Sequence, residues 1–366
     1  MVERYYQAAL TMVPGLGNSR LNSLVAYFGS ARQAWLASRR DLFLCDCLDE
    51  LIGNNLLDLR EKIDIHKMAA DWEKKGIGVV CAADAVFPDR LRRIFDPPQV
   101  LYYRGRLPAD ELMIAVVGAR KASAYGRNAA SSLAAGLAAL GAGAVSGAAR
   151  GVDSAAHDGA LGAGGYTVAV LGCGVDVVYP PENGKLLARI AEQGAIMSEY
   201  WPGTGPLPHH FPVRNRIISG LARGVAVVEA AEKSGSLITV DWALEQGRDV
   251  FAVPGSIFSA TSAGTNRLIK QGAKPVTTAA DILKEYGLAC GDGKERPPRP
   301  EPAGDEGRVW AALSCDTPLT VDELIMRVGL PAPVITYILL QLELKDMAAE
   351  FGGRRYVRLP GRETGE

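Results

Sequence analysis

The 366-residue sequence predicts an α/β protein with a doubly wound parallel sheet at its core, a helical N-terminal domain and a C-terminal winged helix. Three observations predict it. Between Met113 and Tyr286 short apolar runs alternate with amphipathic stretches in a β-α-β-α rhythm. Before that region the apolar spacing is helical. After it, a Pro-rich charged stretch leads to three helical patterns and a hairpin. The domains implied are 1–78 (helical), 79–289 (α/β), 290–307 (linker) and 308–360 (winged helix).

Composition narrows the class. With 48% hydrophobic and 22% charged residues the chain builds both a core and a solvated surface, which excludes a largely disordered chain, a collagen-like fibre and a coiled coil. Forty Lys+Arg nearly cancel forty-one Asp+Glu, so any nucleic-acid partner must be met by a local patch. The six cysteines show neither a C-x-x-C pair nor the spacing of a disulfide framework, which reads as a reducing, cytoplasmic setting. The opening Met1–Tyr5, acidic and aromatic, suits no signal peptide. The uncharged run between Arg127 and Arg150 is built of Ala, Gly and Ser, too weakly hydrophobic for a membrane span, and reads as a helix followed by a strand.

Taken in order, two helical patterns flank Val13-Pro14-Gly15-Leu16-Gly17, the second with Leu21, Leu24, Val25 and Phe28 on one face. Such a hairpin either offers backbone N–H groups to a phosphate or serves packing alone. Helical patterning continues to Gly76. The expected strands are Ile114–Val117, Ala142–Val145, Thr167–Leu171, Ala195–Met197, Val225–Val228 and Asp249–Val253. Their following helices include Tyr125–Leu140, Ser154–Leu161, Gly184–Glu192 and Leu237–Gln246. In the C-terminal part Arg308–Leu313, Val321–Arg327 and Ala332–Leu344 read as helices. Met347–Phe351 and Tyr356–Leu359 then form a hairpin around Gly352-Gly353. The third of these helices carries no Lys or Arg before Lys345, so it suits protein contact at least as well as DNA.

In a doubly wound sheet, function collects in the loops at the carboxyl ends of the strands. These loops hold cations, hydroxyls and glycines. The first is Gly118-Ala119-Arg120-Lys121-Ala122-Ser123, leading into a helix near Tyr125, a corner suited to a phosphate. The second, Ser146–Asp153, holds Arg150, available to a phosphate or to a carboxylate, and Asp153, expected to cap the next helix. A Pro-rich loop reaches Phe211-Pro212-Val213, and Arg214, Asn215 and Arg216 are expected in a helix's first turn, where cations oppose the dipole unless an anion is bound. The loop Lys233-Ser234-Gly235-Ser236 makes a further anion nest, with Ser234 or Ser236 expected as the helix cap.

Several chemistries lack their residues. No G-x-x-x-x-G-K-[ST] run exists, and Gly172-Cys173-Gly174 is an incomplete dinucleotide fingerprint with Val177 at its third glycine, better read as a tight turn. His209 and His210 are adjacent on a Pro-flanked loop, awkward for one metal, so no metal or other cofactor is expected. Glu199 and Glu229 follow strands, yet nearby arginines are available to neutralise them, so a structural role is expected rather than acid–base catalysis.

The residues nevertheless resemble a known family. Val117-Gly118-Ala119-Arg120 with Tyr125-Gly126, Ser146–Asp153 with Ala156-His157, Ala169–Asp176 with Tyr179-Pro180, Phe211-Pro212 with Arg214–Leu221, Ser234–Thr239, and Pro254-Gly255 with Gly264-Thr265-Asn266 and Leu268-Ile269 occur in the order seen in the DNA-processing protein A (DprA/Smf) family. The N-terminal helical hairpin (helix-hairpin-helix or SAM-like) and the winged helix are also similar to that family's accessory domains. The resemblance implies an extended Rossmann-like fold and a non-enzymatic homodimer, with Leu268 and Ile269 expected at the dimer seam. It implies a protein that binds and protects incoming single-stranded DNA and loads RecA recombinase onto it in natural transformation. DNA contacts are implied at Gly118, Ala119 and Arg120, at the Arg214-Asn215-Arg216 helix start and at the Ser234-Gly235-Ser236 loop, and the residues add Lys121, Ser123, Tyr125, Arg150, Phe211 and Lys233. Ala119 stands where the family usually has Ser, and Ala148 where it usually has Gly. The alternative is a nucleotide-binding enzyme of the phosphoribohydrolase type, whose Gly-rich loop with a catalytic Glu is only approximated by Lys233–Ser236.

Overall fold

The computed structural model describes residues 3–109, 111–288 and 302–359. They form two compact units, the described residues of Met1–Asp110 with Val168–Ala222 and those of Glu111–Thr167 with Arg223–Glu366. Among the described residues the strands are, in chain order, β1 (Gly78–Cys81), β2 (Val100–Gly105), β3 (Met113–Val117), β4 (Gly143–Ser146), β5 (Thr167–Val170), β6 (Ala195–Ser198), β7 (Gly224–Val227), β8 (Asp249–Ala252), β9 (Lys274–Pro275), β10 (Leu319–Thr320), β11 (Ala348–Glu350) and β12 (Arg355–Arg358). Each apolar run expected to be a strand is one, within a residue or two at its ends.

In the first unit the strands lie in the order β1-β2-β6-β5, antiparallel at β1/β2 and β2/β6 and parallel at β5/β6. The N-terminal helices pack directly on its first two strands: Tyr102 of β2 is fully buried and meets Trp72 edge-on at 5.3 Å. Helices Glu3–Thr11 and Asn18–Phe28 flank the Pro14-Gly15 turn as the pattern requires. The strands β1 and β2 are additions to the expected set, because Val79-Val80-Cys81 and Val100–Tyr103 are too short to show a period. Cys45 and Cys47, expected as thiols, are joined in a disulfide, the intervening residue bringing their Cα atoms to 5.4 Å.

In the second unit β4-β3-β7-β8-β9 form a parallel sheet. Every residue of β3 and β4 is buried, as a parallel sheet covered on both faces requires. The Ala/Gly/Ser run is the helix Ala124–Ala139 followed by β4, and its small side chains let it lie close against the helix Val152–Gly162. A Cβ added at Gly159 would stand 2.2 Å from the Ser131 carbonyl oxygen. This unit also carries the winged helix, with helices Gly304–Ala312, Val321–Val328 and Ala332–Leu344 and a small sheet in the order β10-β12-β11. Val309, Leu324, Ile335 and Leu342 form its separate core. The winged helix rests on the helix Ala124–Ala139, where Asn128 Nδ2 donates to the Cys315 carbonyl at 2.6 Å and the Arg127 guanidinium lies 4.9 Å over Phe351. Of the expected 290–307 linker, residues 290–301 lie outside the described residues, and the first winged-helix element already begins at Gly304.

Ala148, after β4, has φ +50° and is fully buried, so this position does call for the backbone freedom that a glycine supplies. Relief of about 1–2 kcal/mol from removing the left-handed strain is offset by the lost methyl burial, about 0.8 kcal/mol, and by the looser unfolded chain. Ala148→Gly is therefore expected to stay within about 1 kcal/mol of the parent. Ala148→Val, β-branched in the same backbone, is expected to cost more than about 2 kcal/mol, both read from urea denaturation.

Candidate nucleic-acid interface

The second unit brings the loops after β3, β7 and β8 to one edge of its sheet, because those three strands are parallel neighbours. Glu229, at the end of the β7 run, is 2% exposed and binds them together. Its carboxylate accepts from the Ser123 N–H and hydroxyl, both at 2.8 Å, and from the Thr261 hydroxyl at 2.6 Å. The Ser123 oxygen accepts in turn from Gly126 N–H at 3.1 Å and so caps the helix Ala124–Ala139. A side chain at Gly126 would meet this carboxylate, with its Cβ 2.2 Å from Oε2, so the helix start and the acid fit only with glycine there. Ala119 N–H donates to the Glu229 carbonyl at 2.7 Å and the Ala119 carbonyl accepts from Val152 N–H at 3.2 Å, which fixes the 118–123 loop on both sides. Tyr125 donates its hydroxyl to the Pro254 carbonyl at 2.6 Å; burial, and then Glu229, raise its pKa, so it stays a donor.

On this frame Arg120, Lys121 and Lys233 are exposed, as is Arg150 on the loop after β4, while Gly118, Ala119, Ser123 and Tyr125 are partly buried. In the loop after β7 the Ser234 and Ser236 hydroxyls bond each other at 2.8 Å; neither caps the helix Leu237–Glu245, contrary to the expectation for that pair. Asp153 likewise braces its own loop, accepting from Gly147 N–H at 3.1 Å and Ala149 N–H at 3.3 Å, instead of capping the helix Val152–Gly162. Glu229 is held by hydroxyl and N–H donors and Glu199 by arginine, so only the second follows the expected pairing. Thr261, which completes the Glu229 cluster, carries no motif signal; only its distance in space to β7 reveals it.

The other expected residues lie in the first unit, and there the structure corrects the reading. The helix runs His210–Leu221, so Arg214 falls in its second turn, clear of the N-terminal dipole. Pro212 misplaces the boundary when read as a breaker, since proline is tolerated within a helix's first turn. Arg214 and Arg216 are each 3% exposed. Arg214 donates to the Val170 carbonyl and lies 5.9 Å over the Phe211 ring. Arg216 bonds Glu199 Oε1 at 2.7 Å and Asp96 Oδ2 at 3.2 Å. Burial opposes its charge, and the two carboxylates outweigh that and raise its pKa. These arginines therefore hold the fold together. Phe211 remains partly exposed, packed on Gly172 and 5.5 Å from Tyr179, and Asn215 is partly exposed as well. His210 stacks on Tyr200 at 3.8 Å and its Nδ1 donates to the Gly172 carbonyl at 3.1 Å; burial pushes its pKa down.

Among the described residues no group of three or more His, Cys, Asp or Glu is placed to hold a metal, and no single helix is long and apolar enough to cross a membrane. The DNA recombination-mediator protein A family model matches residues 78–287, and the DprA winged helix domain model matches residues 293–354. The chain belongs to the DprA family. It is 48% identical over 207 residues to the DNA processing protein DprA of Streptococcus pneumoniae, covering 56% of this chain and 72% of that one. Its fold is similar to the X-ray structure of the Streptococcus pneumoniae DprA, with a TM-score of 0.68 and 38% identity over 77% of this chain and 97% of that one. It is also similar to a Helicobacter pylori DprA structure described for its single-stranded DNA binding mode. There the TM-score is 0.51, with 30% identity over 57% of this chain and 95% of that one. Membership of a DNA-processing family favours the DNA-processing reading over the phosphoribohydrolase one.

Truncating Arg216 leaves Glu199, 20% exposed, without its main partner. Arg216→Ala is expected to cost about 3 kcal/mol of stability in urea denaturation, and the apolar pair Arg216→Met with Glu199→Leu to recover most of it.

Proposed function

We propose that this chain is a cytoplasmic, non-catalytic mediator that binds single-stranded DNA at the strand-end loops of its second unit, protects it and loads RecA recombinase onto it during natural transformation. The observation that carries this reading is the frame around Glu229, which supports exposed Arg120, Lys121 and Lys233 on adjacent loops that also hold backbone N–H groups. Family membership and the single-strand binding mode described for the Helicobacter pylori relative support it. The domain scheme of helical region, α/β domain and winged helix goes with it. Gly118, Ala119, Ser123, Ser234, Gly235 and Ser236 line the proposed contact on the same loops, and Arg150 joins it from the loop after β4. Phe211 and Asn215, partly exposed on the first unit, are proposed as DNA contacts of that unit taken by itself.

The winged helix is assigned to protein contact. Its helix Ala332–Leu344 exposes Tyr337, Leu340 and Leu344 and contains no Lys or Arg, so it offers apolar surface where a groove-reading helix needs cations.

The test is a salt titration of binding to a dT oligomer and to a duplex of equal length. Single strand is expected to bind more tightly, and Lys121→Ala and Lys233→Ala each to weaken it several-fold. Each should also flatten the log K against log salt slope by about 0.7, the value for one phosphate contact on a single strand. Binding and slope unchanged in both variants would remove the interface from these loops.

A homodimer completes the proposal. Leu268 is buried within its own protomer, and Ile269, partly exposed, is the residue of the pair open to a partner. Ile269→Glu is expected to sediment as a folded monomer while the parent sediments as a dimer.

A further inference from the structure

Ile257 and Phe258 stand at the tip of the loop Pro254–Ser259, which leaves the carboxyl end of β8, and they are 83% and 94% exposed. The loop is tied down at several points. Asn266 brackets Gly255, donating to its carbonyl at 3.0 Å and accepting from its N–H at 3.3 Å. Tyr125 holds the Pro254 carbonyl at 2.6 Å. Within the tip Phe258 N–H donates to the Ser256 hydroxyl at 3.2 Å, and Ser259 bonds Thr261, which reaches Glu229. Two adjacent large apolar side chains are thus displayed to water by a braced backbone, which holds them as one exposed apolar surface.

The neighbouring loops identify the occupant. On this edge of the sheet β7, beside β8, ends in the loop bearing Lys233, and β3, next along, ends in the loop bearing Lys121. Strands about 4.8 Å apart place these cations one and two strands away from the Phe258 loop. A ligand with phosphates on one side and flat apolar faces on the other satisfies both features, and an unpaired nucleic-acid strand has that form. A second copy of the chain seated on the tip in an isologous contact would bring the same lysines face to face.

We propose that Phe258, flanked by Ile257, is a stacking platform for an unpaired base of a DNA strand whose phosphates lie along the loops after β3 and β7. This rests on the single-strand reading above and assigns it a base-contacting residue beside the phosphate cradle.

The experiment measures binding of the full chain to a dT oligomer carrying one 2-aminopurine, by fluorescence and by salt titration, with sedimentation of each protein. Phe258→Ala is expected to lose roughly five- to a hundred-fold in affinity and to abolish the 2-aminopurine quenching. Its salt slope should match the parent's, since no phosphate contact is removed. Phe258→Trp is expected to restore both affinity and quenching. Parent-like affinity and quenching in Phe258→Ala, with Lys121→Ala still weakened, overturns this inference alone and leaves the single-strand reading standing. A dimeric parent that becomes monomeric in Phe258→Ala, with quenching unchanged, overturns it in favour of a second copy. A parent that binds no single strand overturns both readings.

Discussion

The buried carboxylate of Glu229 is the constraint on which the strand-end loops of the second unit depend. It is 2% exposed and takes three hydrogen bonds from two loops distant in sequence, Ser123 on one and Thr261 on the other. A buried carboxylate must find such donors, because each missing one leaves an acceptor out of reach of water at a cost of about 1–3 kcal/mol. The same requirement that satisfies the acid therefore fixes the loops. Because the Ser123 hydroxyl is both donor to Glu229 and cap of the helix Ala124–Ala139, the helix start, the first loop and the carboxyl end of β7 are held as one object.

That object exists only because the chain is small where it must be. Gly126 gives the carboxylate room, and Gly151, at φ +80°, turns where an added Cβ would stand 2.3 Å from the Ala119 carbonyl. The Ala/Gly/Ser composition of the helix after β3 looks featureless in sequence, yet it sets how near the helices and loops approach each other. Loops whose positions are already determined by the sheet and by Glu229 have little backbone freedom left to lose when a ligand is bound.

Much of this was legible in the sequence, and the exceptions share a cause. The Val-rich runs of the parallel sheet, the helices between them and the winged helix are patterns of burial, and burial is what periodicity reports. The strands β1, β2 and β9 escaped because they are short and take their meaning from neighbours far along the chain. The cations and hydroxyls of the loops after β3 and β7 stand together in the sequence itself, where a one-dimensional pattern can report them. What the pattern could not tell was direction. Arg214 and Arg216 look like Arg120 and Lys121 in one dimension, but a helix that begins at His210 turns the first pair inward, where Glu199, Asp96 and the Val170 carbonyl receive them.

This inward turn bears on how a chain of net charge −1 would meet a polyanion, as the proposed function requires. Cations spent on buried pairs add nothing to the external field, and the bulk of the surface neither attracts nor repels a nucleic acid strongly. On the proposed function, attraction would then be local, set by a few side chains on loops whose geometry is fixed from beneath. Surface lysines on mobile loops would lose rotamer and backbone freedom on binding; lysines carried by braced loops lose only the former. On the proposed function, an exposed ring on the neighbouring loop would add a contact that duplex DNA, with its bases stacked and paired, does not offer.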